Sequence, residues 1–329
     1  MMKRICVKFI LWVTVICWSL SGFTQEAPWD QKFVDSILPR LKNIKGDNNA
    51  VDQLEKLSEM YMSRNPDSTI LFADRGDSIA EKIHYYKGQV ICLTSSAMAH
   101  NIQSNWATAT LKMNKAIPIC QQHEPDLLLL AYDIMFAISG IKGEYEKAAL
   151  WKDKQLSLLK DYSGPDWVKW SLFMQMTIFY TNSNQIDSAR FYADSLEVYL
   201  NKYADRSLAI KSGSYMALGN LALVSGDSEL ALQYYRLGPH FLGIAGIYQG
   251  FGNRDSTIFY AEKEFQIGSR LKSPNSIIPA AEILAKEYES INPSESNKYL
   301  KIYIDASKNF FNTDKQLAEL RLNQERLEN

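Results

Sequence analysis

Three stretches of this chain, 67–74, 187–194 and 255–262, follow one pattern, and that recurrence constrains the fold more than any other feature. Each opens on Asp-Ser, and each sets an aromatic residue directly before an alanine: Phe72-Ala73, Tyr192-Ala193 and Tyr260-Ala261. An acid and a short hydroxyl at this place predict a helix start, with a polar side chain capping free backbone N–H groups and the acid favoured by the positive end of the helix. Degenerate copies lie at 104–109, 143–148, 226–231 and 292–297. With one small or polar residue per copy as a mark, at Thr69, Ala109, Ala148, Ala189, Ala231, Thr257 and Asn297, the intervals are 40, 39, 41, 42, 26 and 40 residues. A second amphipathic segment precedes each mark, for example 216–223 and 281–288, with apolar residues at helical spacing. One period therefore holds two helices of about 15–18 residues and a tight turn, the unit of an αα-hairpin repeat.

Such an array spreads one core along its length, so 329 residues need not divide into two domains. The expected class is all-α, a solenoid of antiparallel helix pairs. The odd interval of 26 falls around Gly238-Pro239, a pair that stops a helix; one shortened helix and a change of superhelical curvature are expected there.

Leu218-Gly219, Gly226-Asp227, Ala231 and Tyr235 resemble the tetratricopeptide (TPR) signature. Leu284-Ala285, Tyr288, Asn292, Tyr180, Ala189, Tyr248, Gly252, Ala109 and Ala116 fit it as well. The resemblance implies a TPR-like right-handed superhelical solenoid of about seven repeats over 51–312. The period is longer than the usual 34 residues of that family. Segment 25–50, with Pro39, is expected to supply an N-terminal cap helix and linker, and 313–329 a C-terminal linker or coiled-coil helix.

At the start of the chain Lys3, Arg4 and Lys8 precede an apolar run from Phe9 to Leu20, then Ser21, Gly22 and Thr24. This reads as a signal peptide over 1–24, cleaved before Gln25, with a run shorter than the ~20 residues a membrane span needs. The chain is then exported, to the periplasm or the periplasmic face of an inner membrane. Cys6 and Cys17 leave with the peptide. Cys92 and Cys120 remain, on the two helices of one hairpin about a turn out of level, which favours buried free thiols over a disulfide.

Chemistry is sparsely signalled. His84, His100, His123 and His240 are scattered without metal-ligand spacing, and His100 reads as a satisfied core residue at an inward aromatic position. The glycines of 243–252 lack the Lys-Ser/Thr ending of a phosphate loop and read as sites of close helix packing. No nucleophile elbow or kinase motif occurs. No catalytic, cofactor-binding or metal residue is therefore assigned, and no cofactor. The formal charge of -1, with both signs interspersed, argues against nucleic acid as a partner of this segment.

Binding is the expected role: a protein or peptide in the concave groove, lined by first helices at about 87–102, 126–140, 167–181 and 208–224. Trp167, Trp170 and Tyr180 read as core, and no contact residue is assigned. Segment 299–329 resembles the end of the exported TPR region in Gram-negative sensors, with Gln316 to Leu320 leading towards a membrane span followed by a histidine kinase or LuxR-type domain. That resemblance implies a sensory input region with a membrane tether beyond Asn329. Leu317, Leu320, Gln324 and Leu327 keep a three-four spacing that suits either a homodimeric coiled coil or an amphipathic end cap. A free-standing periplasmic scaffold for envelope protein complexes is the alternative.

Overall fold

The computed structural model describes residues 31–39, 46–159, 166–203, 208–308 and 310. The expected signal peptide, Trp29, 40–45 and the expected C-terminal helix over 313–329 lie outside them. The described residues form helices and turns only. In order these are α1 (Gln31–Ile37), α2 (Asn48–Tyr61), α3 (Pro66–Lys82), α4 (Tyr86–Ile102), α5 (Trp106–His123), α6 (Leu128–Ile141), α7 (Tyr145–Leu159), α8 (Asp166–Asn182), α9 (Ile186–Tyr203), α10 (Leu208–Val224), α11 (Ser228–Leu237), α12 (Phe241–Gly250), α13 (Arg254–Leu271), α14 (Pro274–Tyr288) and α15 (293–308). Each helix from α2 to α14 packs chiefly on its neighbours in sequence. The pairs α2/α3 through α14/α15 make seven hairpins, an all-α helical repeat solenoid.

One turn geometry joins the helices of the five internal hairpins. Each turn has three residues, and its middle residue is left-handed: Ser104 (φ 60°), Gly143 (71°), Asn184 (57°), Gly226 (91°) and Gly252 (72°). The last turn residue donates its N–H to the carbonyl five residues back, Asn105 to His100, Glu144 to Ser139, Gln185 to Tyr180, Asp227 to Ala222 and Asn253 to Tyr248, all at 2.8–3.0 Å. This is the Schellman closure, which satisfies carbonyls that the helix end leaves free. The two terminal hairpins use a longer turn with no left-handed residue. There Asn65 and Asn292 donate to Tyr61 and Tyr288, four residues back.

The register marks have a physical meaning. Thr69, Ala109, Ala148, Ala189, Ala231 and Thr257 each donate to the carbonyl four residues back, closing the first bond of a second helix, and each is fully buried. In the seventh hairpin that bond belongs to Ser296, and Asn297 is exposed, so the expected mark was one residue late. Hydroxyls at this register cross to the first helix in both terminal hairpins: Thr69 Oγ1 donates to Ser58 O (3.0 Å) and Ser296 Oγ to Ala285 O (2.7 Å).

The helix starts follow the expectation, with the capping side chain supplied from just before each Asp-Ser pair: Asn65 Oδ1 accepts from Ser68 N (3.2 Å) and Asn253 Oδ1 from Ser256 N (3.1 Å). The aspartates sit in the first turn, where the helix dipole favours them. Around the short interval two helices are shortened, not one: α11 and α12 have 10 residues each. Gly238 between them lies against Ser212, where an added Cβ would meet backbone at 2.7 Å.

The core is strung along the array as overlapping clusters. At the N-terminal end Val34 and Ile37 of α1 cover Leu54, Leu57 and Phe72. Trp170, Met174, Leu196 and Leu218 fill the middle, and Leu242, Leu284 and Tyr299 the C-terminal end.

Candidate binding surface

The four expected groove helices correspond to α4, α6, α8 and α10, within two residues at each end. Their large apolar side chains are spent on the core. Tyr132, Phe136, Trp170 and Phe179 are buried, and Tyr180 is half-buried with its ring stacked on Tyr192 at 5.5 Å; the side chain of Trp167 lies outside the described residues. Ring pairs at this register recur as Tyr248 on Tyr260 (5.8 Å), Tyr288 on Tyr299 (5.9 Å) and Tyr61 on Phe72 (5.6 Å). They fill the wedge between the two helices of a hairpin. His100 occupies the same place in its hairpin, five residues before Asn105, whose amide nitrogen is 3.4 Å from the ring. It is half-buried, and burial holds it below the usual histidine range.

Polar side chains pin successive hairpins to one another. Asp77 of α3 accepts from Gln89 of α4 (3.1 Å), and Asp74 from Ser96 (2.7 Å). Trp170 Nε1 of α8 donates to Ser214 of α10 (2.9 Å). At the junction of the third and fourth hairpins Asp133 of α6 accepts from Gln155 of α7 (3.0 Å) and from Ser171 of α8 (3.4 Å). Asp133 is fully enclosed. Burial pushes its carboxyl up to about 7, against the opposing pull of hydrogen bonds from Gln155 and Ser171. Glu264 of α13 is also buried, and burial raises its carboxyl against a hydrogen bond from Ser276 of α14. These pins join helices 12 to 44 residues apart, a range that hydrophobic periodicity does not report.

Exposed large apolar side chains are absent from the first helices among the described residues. They sit on second helices, at turns and at Leu38. Five of them, Leu71, Leu111, Leu150, Phe191 and Phe259, fall two residues after the register mark, so one exposed apolar residue recurs on the outer helices of hairpins one, two, three, four and six. This regularity was visible in the spacing but not assigned, because the pattern alone does not tell an exposed position from a buried one. Groove contacts from exposed aromatics on the first helices therefore have no counterpart in the described side chains.

Cys92 and Cys120 are free and buried, on the two helices of one hairpin. Burial raises both thiols, Cys120 up to about 12. His240 is buried edge-on to Tyr235 at 4.9 Å, and burial alone pushes it down to about 4. Of the glycines in 243–252, Gly243 packs closely, since a Cβ there would lie 2.5 Å from His240, and Gly252 supplies a left-handed turn. Gly246 and Gly250 face nothing within 4 Å, so close packing does not account for them. Among the described residues no group of His, Cys, Asp and Glu is arranged to hold a metal, and no helix is long and apolar enough to cross a membrane.

The class defined by these features is an all-α helical repeat protein, with seven hairpins among the described residues. The sequence matches no protein-family model and no curated protein.

Proposed function

We propose that the chain is a non-enzymatic TPR domain that binds a protein or peptide, and that it forms the exported, periplasmic sensory input region of a membrane signalling receptor. The observation that supports binding is the repetition itself. One turn, one buried small residue and one interhelical ring position recur along the array, and an exposed apolar residue recurs with them on five second helices. Equal surfaces at a fixed spacing suit a partner that runs across several hairpins at once, gaining from each. The TPR assignment draws support from Gly219, which lets Tyr235 approach its helix; a Cβ there would lie 2.5 Å from that ring.

The binding reading is tested by passing an envelope extract over the immobilised chain beginning at Gln25, followed by titration of each captured protein in purified form. Saturable binding by a purified protein or peptide is expected. Failure of every purified candidate to bind, with the chain folded by circular dichroism, ends the reading. The receptor reading is tested separately by the gene downstream of the codon for Asn329. A hydrophobic span and a kinase or helix-turn-helix domain are expected; an immediate stop codon leaves the free-standing scaffold instead. Export is tested by sequencing the N-terminus of secreted material, which should begin at Gln25 and not at Met1.

A further inference from the structure

Two contacts join parts of the chain that are about 205 residues apart. Lys272, at the end of α13, forms an ion pair with Asp67 in the first turn of α3, and Gln103 Nε2 donates to the same carboxylate at 2.6 Å. Phe310, itself helical and just beyond the described run of α15, meets Trp106 at the start of α5 edge-on, with ring centroids 5.1 Å apart. The two contacts obey one rule. In each, the end of the second helix of a hairpin meets the start of the second helix five hairpins earlier: the sixth meets the first, and the seventh meets the second.

We propose that these contacts form a latch, which holds the solenoid closed on itself one superhelical turn apart and releases it to an extended form without unfolding any hairpin. Lys272 supplies an independent sign that the contact is built. It is left-handed (φ 52°), a conformation glycine adopts freely and other residues rarely do, yet this helix ends in a residue that places a cation over an acid. The electrostatics agree, because an acid in a first helical turn and a cation beyond a last turn each suit the dipole they sit on. The lysine holds the Asp67 carboxyl below the usual carboxylate range. The charged half of the latch is weak. Both partners of the ion pair are more than half exposed, so the pair shifts an equilibrium by about fivefold at most, and the ring geometry adds about twofold to tenfold to what burial of Phe310 against the Trp106 cluster contributes. A closure of that strength is reversible, and salt screens its charged half.

The test measures the distance between nitroxide labels at Ser63→Cys and Ser269→Cys by pulsed electron resonance, in the full chain with Cys6 and Cys17 changed to serine. Cys92 and Cys120 are buried and take no label. A single short distance is expected at low salt, with a long component growing in 1 M NaCl. The double variant Lys272→Glu/Phe310→Ala should move most of the population to the long distance while its helical circular dichroism stays unchanged. Exchanging the charges, Asp67→Lys/Lys272→Asp, should restore at least half of the short population relative to Lys272→Glu. Lys272→Gly separates latch from local helix stability, since it relieves the left-handed strain yet removes the cation; a longer distance without a lower melting temperature is expected. An unchanged distance in the Lys272→Glu/Phe310→Ala variant, or a charge exchange that restores nothing, overturns the latch.

Discussion

Replacing Asp133 with asparagine should stabilise the protein at neutral and alkaline pH and leave it nearly unchanged in acid. The carboxyl is fully enclosed between α6, α7 and α8, its described partners are neutral, and it titrates at about 7 in the fold. In the unfolded chain an aspartate titrates at about 3.9. The folded form therefore holds a proton that the unfolded form has released, and stability falls as pH rises from about 4 to about 7. Three units of difference at about 1.4 kcal/mol each amount to roughly 4 kcal/mol of stability, fully present below about pH 4 and fully lost above about pH 7. Asparagine has nearly the same shape, still accepts from Gln155 through its oxygen, and never ionises. Any mismatch of its amide with Ser171 adds a pH-independent offset of about 1 kcal/mol. The change in the stability difference between pH 4 and pH 8 is free of that offset. Urea unfolding at a series of pH values, followed by helical circular dichroism and by tryptophan fluorescence, measures it. A difference that varies by less than ~1 kcal/mol over this range would refute the reasoning, because a hydrated carboxylate behaves that way.

Three further substitutions or probes address packing and turn geometry. Ser104→Gly relieves a left-handed serine and removes a buried hydroxyl without a partner, so a gain of about 1 kcal/mol is expected in urea unfolding; a loss of that size would mean the hydroxyl is engaged. Gly219→Ala drives a methyl group against the buried Tyr235 ring, which Asn220 holds at 2.6 Å, and should lower stability by about 1–3 kcal/mol; an unchanged melting temperature contradicts the close approach. Cys92 and Cys120 should resist a thiol reagent at pH 8 in the native protein and react within the dead time in 6 M guanidinium, because burial raises both thiols; rapid native modification would place them at the surface.

The helix pairs were legible because their signals are local: glycines at 143, 226 and 252, acid-hydroxyl starts at 67 and 255, and apolar residues at helical spacing all act within one turn of chain. The left-handed Ser104 and Asn184 escaped notice, since only glycine advertises that conformation. The seventh register mark slipped to Asn297 because Ser294, Ser296 and Asn297 are all small or polar, and the interval from the preceding copy does not choose among them. Capping by Asn65 and Asn253 was not read, because the recurring pattern begins at the following Asp-Ser and only backbone geometry shows which residue stands before the first turn. The binding surface was least legible. Whether Phe191 is exposed and Phe179 buried depends on which helices flank each one, a relation between hairpins that the spacing within one hairpin does not contain.

The five internal turns are interchangeable in length and backbone, but they lie within hairpins, and the connections between hairpins differ, with three residues at 83–85, four at 124–127, three at 238–240 and two at 272–273. Exchange of one turn for another is therefore tolerated by local structure, whereas loss of a whole hairpin leaves its neighbours on a connection fitted to other helices. The contacts five hairpins apart add a second constraint, because one added unit would set Lys272 and Phe310 beside the wrong partners. The number of hairpins between those partners is thereby gauged by the fold itself, as between the two jaws of a caliper.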